Sequence, residues 1–112
     1  PVDVIVSSLV LHQVSLAEKE RILAAAFDRL NPGGRLILAD YGLQDTALAR
    51  VLFRATVQFV DGRANTQPNA EGVLPALIEK VGFSAIDLRG KWRTMTGVIY
   101  MYVAAKPLAS AT

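Results

Sequence analysis

The sequence has no cysteine and a single histidine among its 112 residues. Without cysteine there is no disulfide, no thiolate zinc site and no cysteine nucleophile, which fits a reducing compartment. One histidine with scattered carboxylates does not make a metal site, so no metal is expected. Long apolar runs are missing as well: nothing approaches the ~18 to 20 residues that a membrane span needs, and no basic-then-apolar leader opens the chain. These absences predict a soluble, cytoplasmic protein that does not engage a membrane. Concentrated charge is the last thing lacking. Formal net charge is +2 and Lys and Arg are scattered along the chain, whereas a nucleic-acid surface is normally a patch or stripe, so no nucleic-acid partner is expected.

What is present reads as one small domain over residues 1–112, with 52% hydrophobic residues to build its core. The stretch Leu30-Asn31-Pro32-Gly33-Gly34-Arg35-Leu36-Ile37-Leu38-Ala39-Asp40-Tyr41 organises it. Pro32 cannot continue a helix, Gly33 and Gly34 accept positive φ, and Arg35 to Ala39 follow as a strand. Upstream, Val2 to Ser8 is apolar and β-branched, as in a strand buried on both faces. Ser15-Leu16-Ala17-Glu18 matches a capping box, and the helix it opens should run to about Leu30, with Ile22, Leu23, Ala26, Phe27 and Leu30 on one face and Lys19, Arg21, Asp28 and Arg29 around them. Strand, helix, strand with a sharp turn predicts a right-handed βαβ unit with parallel neighbours.

Downstream, Asp45 or Thr46 can cap a second helix to about Val60. Leu48, Val51, Leu52, Ala55 and Phe59 form one stripe on it, Phe53, Val57 and Val60 add apolar surface elsewhere, and Arg50, Arg54 and Gln58 make a narrow polar strip. The Phe53, Val57 and Phe59 surface reads as core, interface or the lining of an apolar pocket. Asp61 to Asn69 reads as a loop. A third helix starts near Gly72, which keeps Pro75 in its first turn, and ends near Val81 with Gly82 as its cap and Phe83 as the cap's hydrophobic companion. Ser84 to Arg89 alternates like a half-exposed edge strand, and a short connection, Gly90 to Gly97, makes the last strand, Val98 to Ala105, its antiparallel hairpin partner. Residues 106–112 read as a frayed tail.

Val2 to His12, Leu30 to Asp40 and Val81-Gly82-Phe83 before a closing hairpin resemble class I S-adenosylmethionine-dependent methyltransferases, nearest to the small-molecule group similar to the ubiquinone and menaquinone biosynthesis enzymes. The resemblance covers nearly the whole chain but corresponds to the carboxyl-terminal half of that fold. It implies an α/β architecture: half of a Rossmann-like sheet, four mixed strands in the order first, second, fourth, third, with about three helices. The family's first strand, its glycine-rich turn and the acid after its second strand have no counterpart. A complete S-adenosylmethionine site is therefore not expected from one copy. The Gly33-Gly34 pair precedes a strand and cannot serve as a nucleotide-binding loop. The chain opens on Pro1 just ahead of a strand, which suits a short gene product and a fragment cut at a loop equally.

In open parallel sheets ligands sit beyond the carboxyl ends of the strands. The resemblance places Ser7, Ser8 and Leu9 against the methionine and sulfonium end of S-adenosylmethionine and turns His12 and Tyr41 toward the methyl acceptor. Histidine is the side-chain type suited to act as a general base near neutral pH, so His12 is the candidate catalytic residue; the alternative is a helix-entry histidine bonded to backbone. The family often shows a second histidine where this chain has Gln13. Asp40 reads either as a substrate contact or as a structural acid bonding nearby amides. Trp92 and Arg93, beside Lys91, read either as a grip on an anionic or aromatic acceptor or as a solvated tip with one anchored ring. With the first strand at an edge and one sheet face short of helices unless the second helix crosses to it, a homodimer through that edge or that face is expected. Two functions follow: the carboxyl-terminal half of a small-molecule methyltransferase, incomplete for catalysis alone, or a stand-alone, non-catalytic dimeric module.

Overall fold

A computed structural model describes residues 1–108 of the chain. Strand β1 (Val2–Ser8) leads through a 3-10 turn at Leu11–Gln13 into α1 (Leu16–Arg29) and then β2 (Leu30–Tyr41). Next come α2 (Ala47–Phe53), a π turn (Arg54–Gln58) and α3 (Phe59–Asp61), then α4 (Arg63–Ala70), α5 (Leu74–Val81) and the hairpin β3 (Ser84–Thr94) and β4 (Gly97–Ala105). The sheet order is β1-β2-β4-β3, with β1 parallel to β2 and β4 antiparallel to both its neighbours. The mixed α/β architecture expected from the sequence is the one observed.

The turn before β2 works as its residues dictate, with one difference. Gly33 takes the positive φ, +83°, while Gly34 does not. Gly34 is needed for close approach instead, because a Cβ there would lie 2.9 Å from the Asn31 carbonyl and 3.0 Å from that of Asp3. The same turn anchors the chain's far end: the Gly33 amide donates to the Lys106 carbonyl and the Lys106 amide to the Gly34 carbonyl, both at 2.8 Å. The Lys106 ammonium then reaches the Phe27 and Leu30 carbonyls that the end of α1 leaves free. The predicted tail thus has its first residue tied down, and residues 109–112 lie outside the described residues.

Both predicted helix caps form, Ser15 accepting from the Glu18 amide and Thr46 from the Ala49 amide. The Glu18 carboxylate pairs with Arg21, and α1 stops at Arg29. Leu23 of α1 and Leu74, Leu77 and Ile78 of α5 pack with Leu36 and Leu38 of β2 and with Val98, Tyr100, Tyr102 and Ala104 of β4, forming the main core on one face of the sheet. Gly82 caps α5 at φ +124° and Phe83 is buried against that core.

Three expectations are corrected. Residues 61–69 are not a loop: α4 forms there although Pro68 lies inside it, because tertiary bonds to its polar groups replace the apolar face it lacks. Strand β3 runs on to Thr94, so Trp92 and Arg93 are strand residues and the hairpin closes through Met95 and Thr96 alone. Along the run from α2 to α3, the stripe Leu48, Val51 and Phe59 faces outward, at 68%, 60% and 86% exposure, while Ala49, Phe53 and Val57 are packed inward. Phe53 and Val57 meet Tyr41 and Ile99, so this helical run crosses only one end of the second sheet face. On the rest of that face Val4 and Val6 stand beside the half-buried Ile37, and the β1 edge has no neighbour among the described residues.

Candidate functional site

The site is built at the carboxyl ends of β1 and β2. β1 ends in Ser7, half-buried, and Ser8, exposed. Leu9 then reverses the chain in a left-handed conformation, φ +56°, unusual for a residue with a Cβ, and its amide is held by the Ala39 carbonyl at 2.8 Å. The 3-10 turn that follows lowers Leu11 and His12 onto the end of β2, where both are buried.

Asp40, fully buried, is the hub. Its Oδ2 accepts from the Leu11 amide at 2.7 Å, and its Oδ1 from the Tyr41 amide at 2.8 Å and from His12 Nδ1 at 2.7 Å. Two backbone amides already donate to it, so Asp40 is the acceptor and His12 Nδ1 carries the hydrogen. The other ring nitrogen, Nε2, lies 3.3 Å from Asp61 Oδ2 at the end of α3. The Tyr41 ring meets the imidazole edge-on with centroids 4.9 Å apart, and its hydroxyl bonds Thr96 Oγ1 at 2.8 Å. Asp40 therefore does bond nearby amides, and His12 is hydrogen-bonded to the Asp40 carboxylate rather than to backbone. Among the described residues no group of His, Asp or Glu is arranged to hold a metal ion.

Lys19, expected on the polar side of α1, is instead completely buried. Its ammonium bonds the Val14 and Asn65 carbonyls, fastening the start of α1 to α4. Burial pushes its pKa down to about 8, against the attraction of the Asp40 carboxylate. Nothing in the sequence marks this role, because one of its acceptors lies on a helix that the sequence hides. Asp61 is missed because it closes α3 where the sequence reads as the start of a loop, and Asn69 because it lies on that hidden helix. Asn69 donates to the Tyr41 carbonyl at 2.7 Å, while its own buried oxygen has no partner.

Trp92 and Arg93 make their contacts elsewhere. Arg93 and Lys91 both bind Asp45, whose carboxyl is held well below the usual carboxylate range by the Arg93 hydrogen bonds and then that from Lys91. The Trp92 ring, half-exposed, lies over Gly90, where a Cβ would come within 2.3 Å of it. The structure thus brings His12, Asp40 and Tyr41 together, with Ser7, Ser8 and Leu9 just before them in the chain, and leaves Arg93 in a separate charged cluster and Trp92 over Gly90.

No family model matches the sequence. Over 90 residues, 76% of the chain, it is 31% identical to an uncharacterized methyltransferase of Geobacillus kaustophilus, of which it spans 42%. Human N-acetylserotonin methyltransferase in complex with S-adenosylmethionine superposes on 94% of the chain with a TM-score of 0.63 and 16% identity, the match spanning 29% of that enzyme. A S-adenosylmethionine-dependent methyltransferase of Methanosarcina mazei superposes on 96% of the chain at TM-score 0.63 and 21% identity, the match spanning 60% of that protein. The chain has a class I S-adenosylmethionine-dependent methyltransferase fold and spans only part of the proteins it matches.

The turn at Leu9 leaves Ser8 exposed at the end of β1. Among the described residues no glycine-rich turn joins a strand to a helix.

Proposed function

We propose that this chain is the carboxyl-terminal half of a S-adenosylmethionine-dependent methyltransferase acting on a small molecule, and that it works when the amino-terminal half of that fold is joined to the β1 edge. The observation that supports this best is the pairing of an apolar edge strand that has no neighbour on one side among the described residues with an acid and histidine pair at the carboxyl ends of β1 and β2. Val2, Val4 and Val6 of β1 are 46%, 51% and 67% exposed, in a strand that reads as one buried on both faces. That the matched proteins extend well beyond this chain agrees with the reading.

In this reading Ser7, Ser8 and Leu9 hold the methionine end of S-adenosylmethionine, which supplies an electrophilic methyl group when bound. The work of His12 is to manage the acceptor's proton. With its Nδ1 hydrogen committed to Asp40, Nε2 is the nitrogen left to receive a proton from an oxygen, nitrogen or activated carbon acceptor. Asp61 occupies the outer side of that nitrogen, so an acceptor reaches His12 by displacing or bridging it. Tyr41 keeps the imidazole plane fixed, and positioning of this kind is worth more than the base itself in a displacement at carbon.

Calorimetric titration with S-adenosylmethionine tests the proposal. The 112-residue chain should give no saturable heat, and the same chain carrying the missing half of the fold upstream of Pro1 should give a saturable curve. Absence of binding in both forms would overturn it in favour of a non-catalytic module, in which the β1 edge or the open sheet face joins a second copy.

A further inference from the structure

The polar strip Arg50, Arg54, Gln58 takes no part in the His12 site. We infer that it forms a binding site for a small organic anion, a single carboxylate or phosphate on an apolar body. The strip lines a cavity of about 300 Å³ between α2 and α4, at the small end of the range for ligand sites. Its apolar floor is Phe53, 1% exposed, and the opposite wall carries Gln67 and Glu71.

The helix geometry aims the three residues together. In a regular α-helix a four-residue step overshoots alignment by about 40°. The wider π turn at Arg54–Gln58 turns the step back, and such turns mark functional positions in helices more often than chance.

The polar contacts of the cavity are used in one direction. Gln58, itself buried, donates to Gln67 at 2.8 Å, and Gln67 donates to Glu71 at 3.1 Å, so the cavity's one carboxylate is engaged from within the protein. The two guanidinium groups are not. Arg50 has a single long contact, 3.4 Å, to the Gln44 carbonyl, and neither arginine has a carboxylate partner among the described residues. Two planar donors one turn apart, beside an apolar wall that includes Leu43 and Ala70, make a fork for a carboxylate or phosphate carried on an apolar body. The site stands whether or not the protein transfers methyl groups.

The test uses the full chain, with phenyl phosphate and benzoate as probes and benzamide as the neutral counterpart, followed by amide chemical shifts. Saturable shifts centred on residues 50–58 and 67–71 are expected with at least one anion and none with benzamide. Arg54→Gln and Arg50→Gln should each weaken the binding about tenfold, the value of one charge-assisted contact. Arg29→Gln, a charge-matched change on α1, should leave it unchanged. Both cavity arginines are solvent-facing, so an unchanged melting temperature shows that these variants fold. The inference is overturned if neither anion saturates, if benzamide binds equally well, or if the Arg29 variant weakens binding as much as the cavity variants.

Discussion

Replacing Asp40 should cost more stability than any surface substitution, and by a calculable amount. The carboxylate is fully buried and takes three hydrogen bonds, from the Leu11 amide, the Tyr41 amide and His12 Nδ1. Hydrogen bonds to a charged partner contribute about 1.5–3 kcal/mol each, and a buried amide left alone is penalised on the same scale. In Asp40→Ala the β1 to α1 connection loosens and some donors regain water, which leaves a cost of about 3–5 kcal/mol, a large share of a small domain's total. Asp40→Asn keeps the shape but sets an NH2 against the Leu11 amide or against the Tyr41 amide, for about 2–3 kcal/mol. Equilibrium urea unfolding followed by far-ultraviolet circular dichroism measures both. Asp45→Asn, which disturbs only a solvent-exposed ion cluster, should leave the midpoint close to that of the parent. An Asp40→Asn protein as stable as the parent would refute the reasoning, because the carboxylate would then be a buried burden and not the knot that joins the strand ends.

Other outcomes follow from the same contacts. Lys19 has a folded pKa of about 8 against 10.5 when unfolded, so between those values the unfolded chain binds more protons and stability should rise with pH, by on the order of 2 kcal/mol from pH 8 to 10. Lys19→Met should abolish that slope in urea titrations across this range. Above pH 10 the trend reverses, since burial pushes Tyr102 up to about 12 and the unfolded state loses that proton first. Gly97→Ala should cost about 2–4 kcal/mol, because φ is +133° and the new Cβ would lie 2.7 Å from Gln44 Oε1, while Gly62→Ala, at φ +89° with open space around it, meets backbone strain alone, about 1–2 kcal/mol. Thermal melts of the two variants compare them directly. Val6→Lys places a charge on the open sheet face and should abolish any self-association of the parent through that face, seen in gel filtration at micromolar concentration; association that persists would exclude that face as the joint.

The sequence was most legible where local chemistry and tertiary structure agree. Pro32 with the glycines, Ser15, Thr46 and Gly82 mark element ends by backbone chemistry that no distant contact overrides, and the apolar runs mark the strands, whose order the family resemblance implied. The site was half legible. His12, Asp40 and Tyr41 were found because they follow strands, but Asp61 was not, since it closes α3 where the sequence reads as the start of a loop, and Lys19 and Asn69 were not, since they act through α4, a polar helix with a proline in it. Its residues follow neither the helical nor the strand period, and the bonds that hold it come from Lys19 and to Tyr41, far away in the chain. Reading the α2 stripe inside out has a related cause: the larger apolar set is the one left facing solvent, and only the neighbours of a helix decide which of two stripes is buried.

The place of β4 has a consequence for how the protein is made. It is the last of the four strands to leave the ribosome, yet it sits between β2 and β3 and shares the sheet's centre with β2. Until its residues 97–105 emerge, β3 has no partner and the antiparallel side of β2 lies bare. Synthesis can pair only β1 with β2 in the sheet on the way, and β3 must wait to be joined through the final strand. Pairings across such sequence distances form slowly, and bare strands in the interval invite wrong partners.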